Sequence, residues 1–292
     1  GSDQLTACGQ HALELGIPYL STGTSEAGLL GRPGYWALTV TQVQQAALAA
    51  EYIAGPLQGT GKKVALLRLN SPNADGVAAA FTGSAEASGL DVVVNDAVDK
   101  SPNPAQLQAE CVKLQQAGAE FVYIYASGLV INAAVQACDQ QGYHPQWMGP
   151  SNGGACALTP PFGGDHMDGC LAFSTNRRQE AVESPFETQA CDDWKSSFPN
   201  DPCPPPTDLA DLPGLWALLD VFRAALESVG PDLTRATFNQ AMLDFEYDNG
   251  YLNPVDFAGT QVGGIGVVVL RADAGAGVPV EIESDWPSSF SS

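Results

Sequence analysis

The chain has 292 residues, with 12 Lys+Arg against 33 Asp+Glu and a formal net charge of −21. Such acidity repels phosphate backbones and anionic lipid surfaces, which disfavours nucleic-acid and membrane-surface binding and leaves small solutes or other proteins as partners. With 45% hydrophobic and 15% charged residues there is material for a sizeable core in two ordinary lobes, and no apolar run nears the roughly 20 residues that span a bilayer. Gly1-Ser2 reads as a cloning remnant with no signal peptide after it, so any export signal is expected to have been removed.

The first forty residues predict a helix around Cys8 to Leu15, a strand Ile17 to Leu20 and a strand Tyr35 to Val40, too few strands for a lobe. From Lys62 a strand-then-helix cycle sets in. Val64 to Leu69 is a near-continuous apolar run suited to a strand buried on both faces of a parallel sheet. A helix from Asn73 to Ser88 follows, capped near Asn73 and closed by Gly89. The cycle repeats as strand Asp91 to Val94, helix Pro104 to Ala117, strand Phe121 to Tyr125, helix Leu129 to Gln141 and a short strand Gln146 to Met148. Such alternation means βαβ units and a doubly wound parallel sheet, an α/β fold. After Ser174 the chain reads as loop-rich, stiffest at Pro202 to Pro206, before a long helix Leu212 to Val229 and another begun by Asp232 or Thr234. Gly266 to Arg271 is a clear strand, and the Gly/Pro/Ser-rich tail from Ala274 is expected to fray.

Seven cysteines lie outside any Cys-x-x-Cys metal pattern. Cys156 and Cys170 bracket one loop, Cys191 and Cys203 another, and Cys111 and Cys138 sit on consecutive predicted helices, so three disulfides and an oxidising, extracytoplasmic setting are expected. Cys8 is left over, either as a buried free thiol or because its partner lies in a segment this chain lacks.

Catalysis finds little support. There is no Gly-x-Ser-x-Gly elbow, and the three histidines, His11, His144 and His166, stand in unrelated contexts. Asp165, His166 and Asp168 could approach a cation, but their spacing matches no strong metal pattern, and a solvated loop is the favoured reading. Gly263-Gly264-Ile265-Gly266 lacks the strand before and helix after that a dinucleotide fingerprint requires, and reads as a turn into a strand. No cofactor, metal or catalytic residue is assigned. What remains is a set of small polar residues after predicted parallel strands, where open α/β sheets bind ligands. They are Ser21, Gly23, Thr24 and Ser25, then Asn73 with Asp75, then Tyr125, Ser127 and Gly128, then Ser151 and Asn152. The glycine of the first loop lets backbone N–H groups approach an anionic oxygen. Together they describe a polar cleft without a nucleophile, which favours binding over turnover.

Ile17-Pro18-Tyr19-Leu20-Ser21-Thr22-Gly23-Thr24-Ser25, Lys63-Val64-Ala65-Leu66-Leu67, Ala117-Gly118-Ala119-Glu120-Phe121-Val122-Tyr123, Gln136-Ala137-Cys138-Asp139-Gln140-Gln141-Gly142 and Met148-Gly149-Pro150 stand in an order and spacing that resembles type 1 periplasmic binding proteins of the Leu/Ile/Val-binding class. The resemblance implies two Rossmann-like lobes that close on a solute and deliver it to an ABC importer, with three strands crossing between lobes. It places lobe 1 at 1–40 plus 175–265 and lobe 2 at 41–174 plus 266–292. It implies that Gly23, Thr24 and Ser25 hold a carboxylate, and that Asn73, Ser127 and Gly128 supply contacts from the second lobe. Ser151 falls where amino-acid binders carry an acid that pairs with the ligand ammonium. A buried ammonium without a counter-charge costs about several kcal/mol, so a carboxylate lacking the amine, an amide or another neutral polar solute gains weight unless Asp75 turns inward. An ABC permease partner, a periplasmic or extracellular location and a lipid anchor upstream are further implications. So is a missing stretch of roughly three βα units before Cys8, which would leave the first lobe incomplete. A ligand-sensing ectodomain of the same fold is the alternative.

Overall fold

The computed structural model describes residues 2–22, 28–150, 156, 164–175, 185–203, 212–250, 252–264, 266–273 and 281–287. The chain divides into two compact units, Asp3–Thr41 with Thr175–Gly266, and Gln42–Ser174 with Val267–Ser292.

The first unit opens with helix α1 (Ser2–Glu14), followed by strands β1 (Tyr19–Ser21) and β2 (Tyr35–Ala37), which pair in parallel with Tyr19 opposite Tyr35. Helices α6 (Pro185–Ser197), α7 (Leu212–Val229) and α8 (Arg235–Ala241) and the short antiparallel pair β8 (Glu246–Tyr247) and β9 (Val255–Asp256) complete it. The start of α8 is set by a capping box in which the Thr234 and Thr237 side chains each serve the other's backbone N–H. A small core forms around Trp36, which meets Phe257 edge-on at 5.3 Å and donates from its indole N–H to Asn239 Oδ1 at 3.0 Å. Gly264 passes so close to β2's continuation that a Cβ there would stand 2.1 Å from the Val40 backbone nitrogen. The glycine run before Gly266 is therefore a packing turn leading into a strand.

The second unit is built on a seven-stranded sheet of order β11-β10-β7-β6-β5-β3-β4. Its strands are β3 (Lys63–Leu69), β4 (Asp91–Val98), β5 (Phe121–Tyr125), β6 (Gln146–Pro150), β7 (Leu171–Ser174), β10 (Gly266–Arg271) and β11 (Glu281–Pro287). Pairing from β4 to β7 is parallel throughout, and β10 runs antiparallel to β7. Helices α2 (Gln42–Ala54), α3 (Pro72–Ala87), α4 (Pro104–Ala117) and α5 (Gly128–Asp139) cover the sheet. Strand alternation sends Ala65, Leu67, Val122 and Ile124 into the core under α4 and α5, and Leu66 and Tyr123 to the opposite face. There Phe81 of α3 stacks on Tyr123 at 5.4 Å and Tyr52 of α2 meets Phe173 at 5.8 Å.

Local signals explain the helix bounds. Asn103 caps α4 by accepting from the Gln106 N–H at 2.9 Å, Pro104 occupies its first turn, and Gly118 ends it at φ 70°. At α3 the cap is Ser71, not Asn73, because Pro72 takes the first helical position and the Ser71 side chain accepts from the Ala74 N–H. Helix α5 ends at Asp139 rather than Gln141, and β4 continues past Val94 to Val98 along β3. Four elements were not expected. Helix α2 buries nine of its 13 residues, so it shows no polar stripe, and β7 is four residues buried throughout. Helix α6 stands where the sequence reads as loop, and the tail beyond Ala274 returns as β11 beside β10.

The disulfides are Cys111–Cys138, joining α4 to α5, Cys156–Cys170 and Cys191–Cys203, with Cα separations of 5.1 to 5.4 Å. Cys8 is a free thiol and is exposed, not buried. No described helix is long and apolar enough to cross a membrane.

Candidate functional site

The first unit contributes Ser21, the last residue of β1, which is buried with its hydroxyl 2.7 Å from the Tyr35 phenol. Next to it the Thr22 carbonyl accepts from the Thr39 hydroxyl. Gly23, Thr24 and Ser25 lie outside the described residues, as do Ser151 and Asn152.

In the second unit the carboxyl ends of β3 and β5 are neighbours. Arg68 stands opposite Tyr125 in register, so both side chains leave the sheet on the face covered by α2 and α3. Tyr125 is buried and its phenol donates to Gln42 Oε1 at the start of α2, so this expected ligand contact is already engaged within the protein. From β3 the chain passes through Ser71 into α3, which buries Asn73 in the first turn. Asp75 in the same turn brings Oδ1 to 2.9 Å from Arg68 Nη1. Asp75 is therefore paired inside the protein instead of waiting for a ligand ammonium.

From β5 the chain passes through Ser127 into α5. Ser127 is the exposed N-cap of that helix with extended backbone, φ −69° and ψ 154°, yet its hydroxyl makes no bond to the helix's own N–H groups. Gly128 behind it is buried, and Leu129 is 66% exposed in the first turn. The first-turn N–H groups of a helix have no internal acceptor and carry the positive end of its dipole, so this edge suits an oxygen anion. The structure thus gathers Asn73, Tyr125, Ser127 and Gly128 along one edge of the second unit.

Elsewhere, Asp165–Met167 form a short 3-10 turn with Met167 buried and Asp165 exposed, and the His166 Nε2 is buried with no hydrogen-bond partner among the described residues. No three His, Cys, Asp or Glu side chains gather as metal ligands among the described residues. The first unit also holds an apolar cavity of about 430 Å³ between β1 and helices α7 and α8, lined by Ile17, Leu20, Phe222, Leu226 and Phe238; none of the expected polar residues line it.

Two residues at the β3–β5 edge escaped the sequence reading. Gln42 was hidden with α2. Arg68 carried a usable signal, because a lone guanidinium inside a run read as buried on both faces must find a partner or a ligand.

A family model described as periplasmic binding protein matches residues 1–276. The chain belongs to the periplasmic binding protein family. No curated protein gives a sequence match. Among solved structures, this periplasmic binding protein is similar to a branched-chain amino acid ABC transporter protein from Thermus thermophilus with bound valine, at TM-score 0.78 and 18% identity, over 99% of this chain and 77% of that one. It is also similar to a fatty acid ABC transporter substrate-binding protein from Thermomonospora curvata, at TM-score 0.75 and 14% identity, over 99% and 74%. A third is a solute-binding protein from Rhodopseudomonas palustris in complex with 3,4-dihydroxybenzoic acid, at TM-score 0.70 and 14% identity, over 97% and 74%. Identities this low establish the shared fold, that of type 1 periplasmic binding proteins. The family is one of extracytoplasmic solute-binding proteins of transport, which are not enzymes.

Proposed function

We propose that this periplasmic binding protein captures a small solute carrying a carboxylate and presents it to the permease of an ABC importer, its two units closing on the solute. The observation that carries the reading is the edge of the second unit, where Ser127 stands exposed as the N-cap of α5 without bonding to its own helix, and where Arg68 lies opposite Tyr125 near the end of β3. The solutes named for similar structures, valine, 3,4-dihydroxybenzoic acid, 4-hydroxybenzoate and benzoate, and fatty acid as a class, share a carboxylate and little else. The net charge of −21 does not oppose this, because distant surface charges are screened over about 8 Å at physiological salt whereas the local groups meet the anion directly. The family of solute-binding transport proteins to which the chain belongs supports capture rather than turnover.

A thermal-shift screen of amino acids, amides, and aliphatic and aromatic carboxylates tests the reading. A solute at 100 times its dissociation constant adds about 2.7 kcal/mol of stability. Carboxylates are expected to be the responding class. A panel in which only neutral or cationic solutes raise the melting temperature overturns the proposal.

A further inference from the structure

Arg68 is the penultimate residue of β3, and its side chain is 19% exposed. Its neighbours Leu66 and Leu67 are buried, so the guanidinium emerges from the sheet interior at the edge where α3 begins. An arginine in such a place is normally satisfied by a planar, two-pronged contact to a carboxylate. Arg68 reaches Asp75 through Nη1 at 2.9 Å and the Leu69 carbonyl through the same nitrogen at 3.5 Å. Its Nε is buried and has no acceptor among the described residues. Asp75, by contrast, is 66% exposed and keeps most of its hydration. The pair is thus lopsided, a confined cation with donor capacity to spare and a counter-ion that water can readily take back.

We propose that Arg68 is the specificity-determining residue for the solute's carboxylate, and that Asp75 is its stand-in counter-ion when no solute is bound. This rests on the solute-capture reading above and deepens it. When a carboxylate arrives, one anion replaces another at the guanidinium, so no buried charge is left unpaired, and Asp75 returns to solvent. An amide cannot make that exchange, because it brings no charge to replace the one displaced. The favoured class is a monocarboxylate.

The test is titration calorimetry with benzoate, octanoate and L-valine beside benzamide and octanamide, on the wild-type protein and on Arg68→Gln, Arg68→Lys and Asp75→Asn. Arg68→Gln is expected to weaken carboxylate binding at least tenfold, with Arg68→Lys intermediate. Asp75→Asn is expected to tighten it severalfold, because a competing carboxylate has been removed. That gain separates the assignment from a merely structural ion pair, whose loss from either side weakens binding alike. Asp75 is exposed enough for its variant to fold, which keeps the test open if Arg68→Gln does not. Acids bound no better than their amides, unchanged affinity in Arg68→Gln, or weakened affinity in Asp75→Asn each overturn the role of Arg68 and leave solute capture standing. A wild-type protein that binds none of the panel overturns both.

Discussion

The phenol of Tyr125, at the end of β5, donates its hydrogen bond to Gln42 Oε1, the first side chain of α2. Both residues are buried, so this bond pins the start of a helix to the edge of the sheet. Tyr125→Phe removes the donor and leaves a buried amide oxygen with one partner fewer, at a cost of about 1–3 kcal/mol. The expected result is a lower urea midpoint with an unchanged m-value. An unchanged midpoint would show that the bond carries no net stability.

Tyr123 presents the opposite case two residues earlier on the same face. Its hydroxyl is fully buried without a partner among the described residues, and desolvation raises its ionisation far above the ordinary tyrosine value. The ring stacked on Phe81 does the packing. Tyr123→Phe keeps the ring and discards the unsatisfied group, so stability is expected to hold or to rise by up to about 1 kcal/mol. A loss of more than that in chemical denaturation would reveal a hidden partner.

Glu110 on α4 gives a pH dependence. Burial raises its carboxyl above the usual value, and the hydrogen bond and like charge of Asp96 add to this against the opposing pull of Lys113. The folded protein therefore holds the Glu110 proton more tightly than the unfolded chain does. The resulting stability is fully present below the unfolded carboxylate value of about 4.3 and is lost as pH rises through the folded value. Glu110→Gln cannot undergo that loss, so the variant should gain on the wild type as pH is raised from about 4 to 7. Melting temperatures that stay parallel across this range would contradict the assignment.

The Cys111–Cys138 disulfide closes a span of 27 residues between α4 and α5. In the chain-entropy account such a loop contributes about 3–4 kcal/mol. The Cys111→Ala, Cys138→Ala double variant is expected to unfold at correspondingly lower denaturant, while Cys8→Ala, removing an exposed free thiol, should leave the midpoint in place. Equal midpoints for the double variant and the wild type would refute the stabilising role.

Much of the second unit was legible in the chain because its signals are local. A proline and caps bound α4, Gly118 closes it, and the apolar runs of β3 and β5 suit strands buried on both faces. Where the environment supplied the determinant, the signal was absent. Helix α2 is buried on nearly all sides, so its Ala-rich sequence carries no period, and β11 becomes a strand only because β10 offers it an edge. The site divides in the same way. That Asn73, Tyr125 and Ser127 follow strands could be read from order alone, since strand ends are where such sheets present polar groups. That Tyr125 is engaged by Gln42, that Asp75 answers Arg68, and that the Ser127 hydroxyl leaves its own helix uncapped depend on side chains brought together over separations of up to 83 residues. The one-dimensional pattern determines which residues can be polar at an edge. Only the folded sheet and its covering helices decide which of those groups satisfy one another and which stay exposed at the edge.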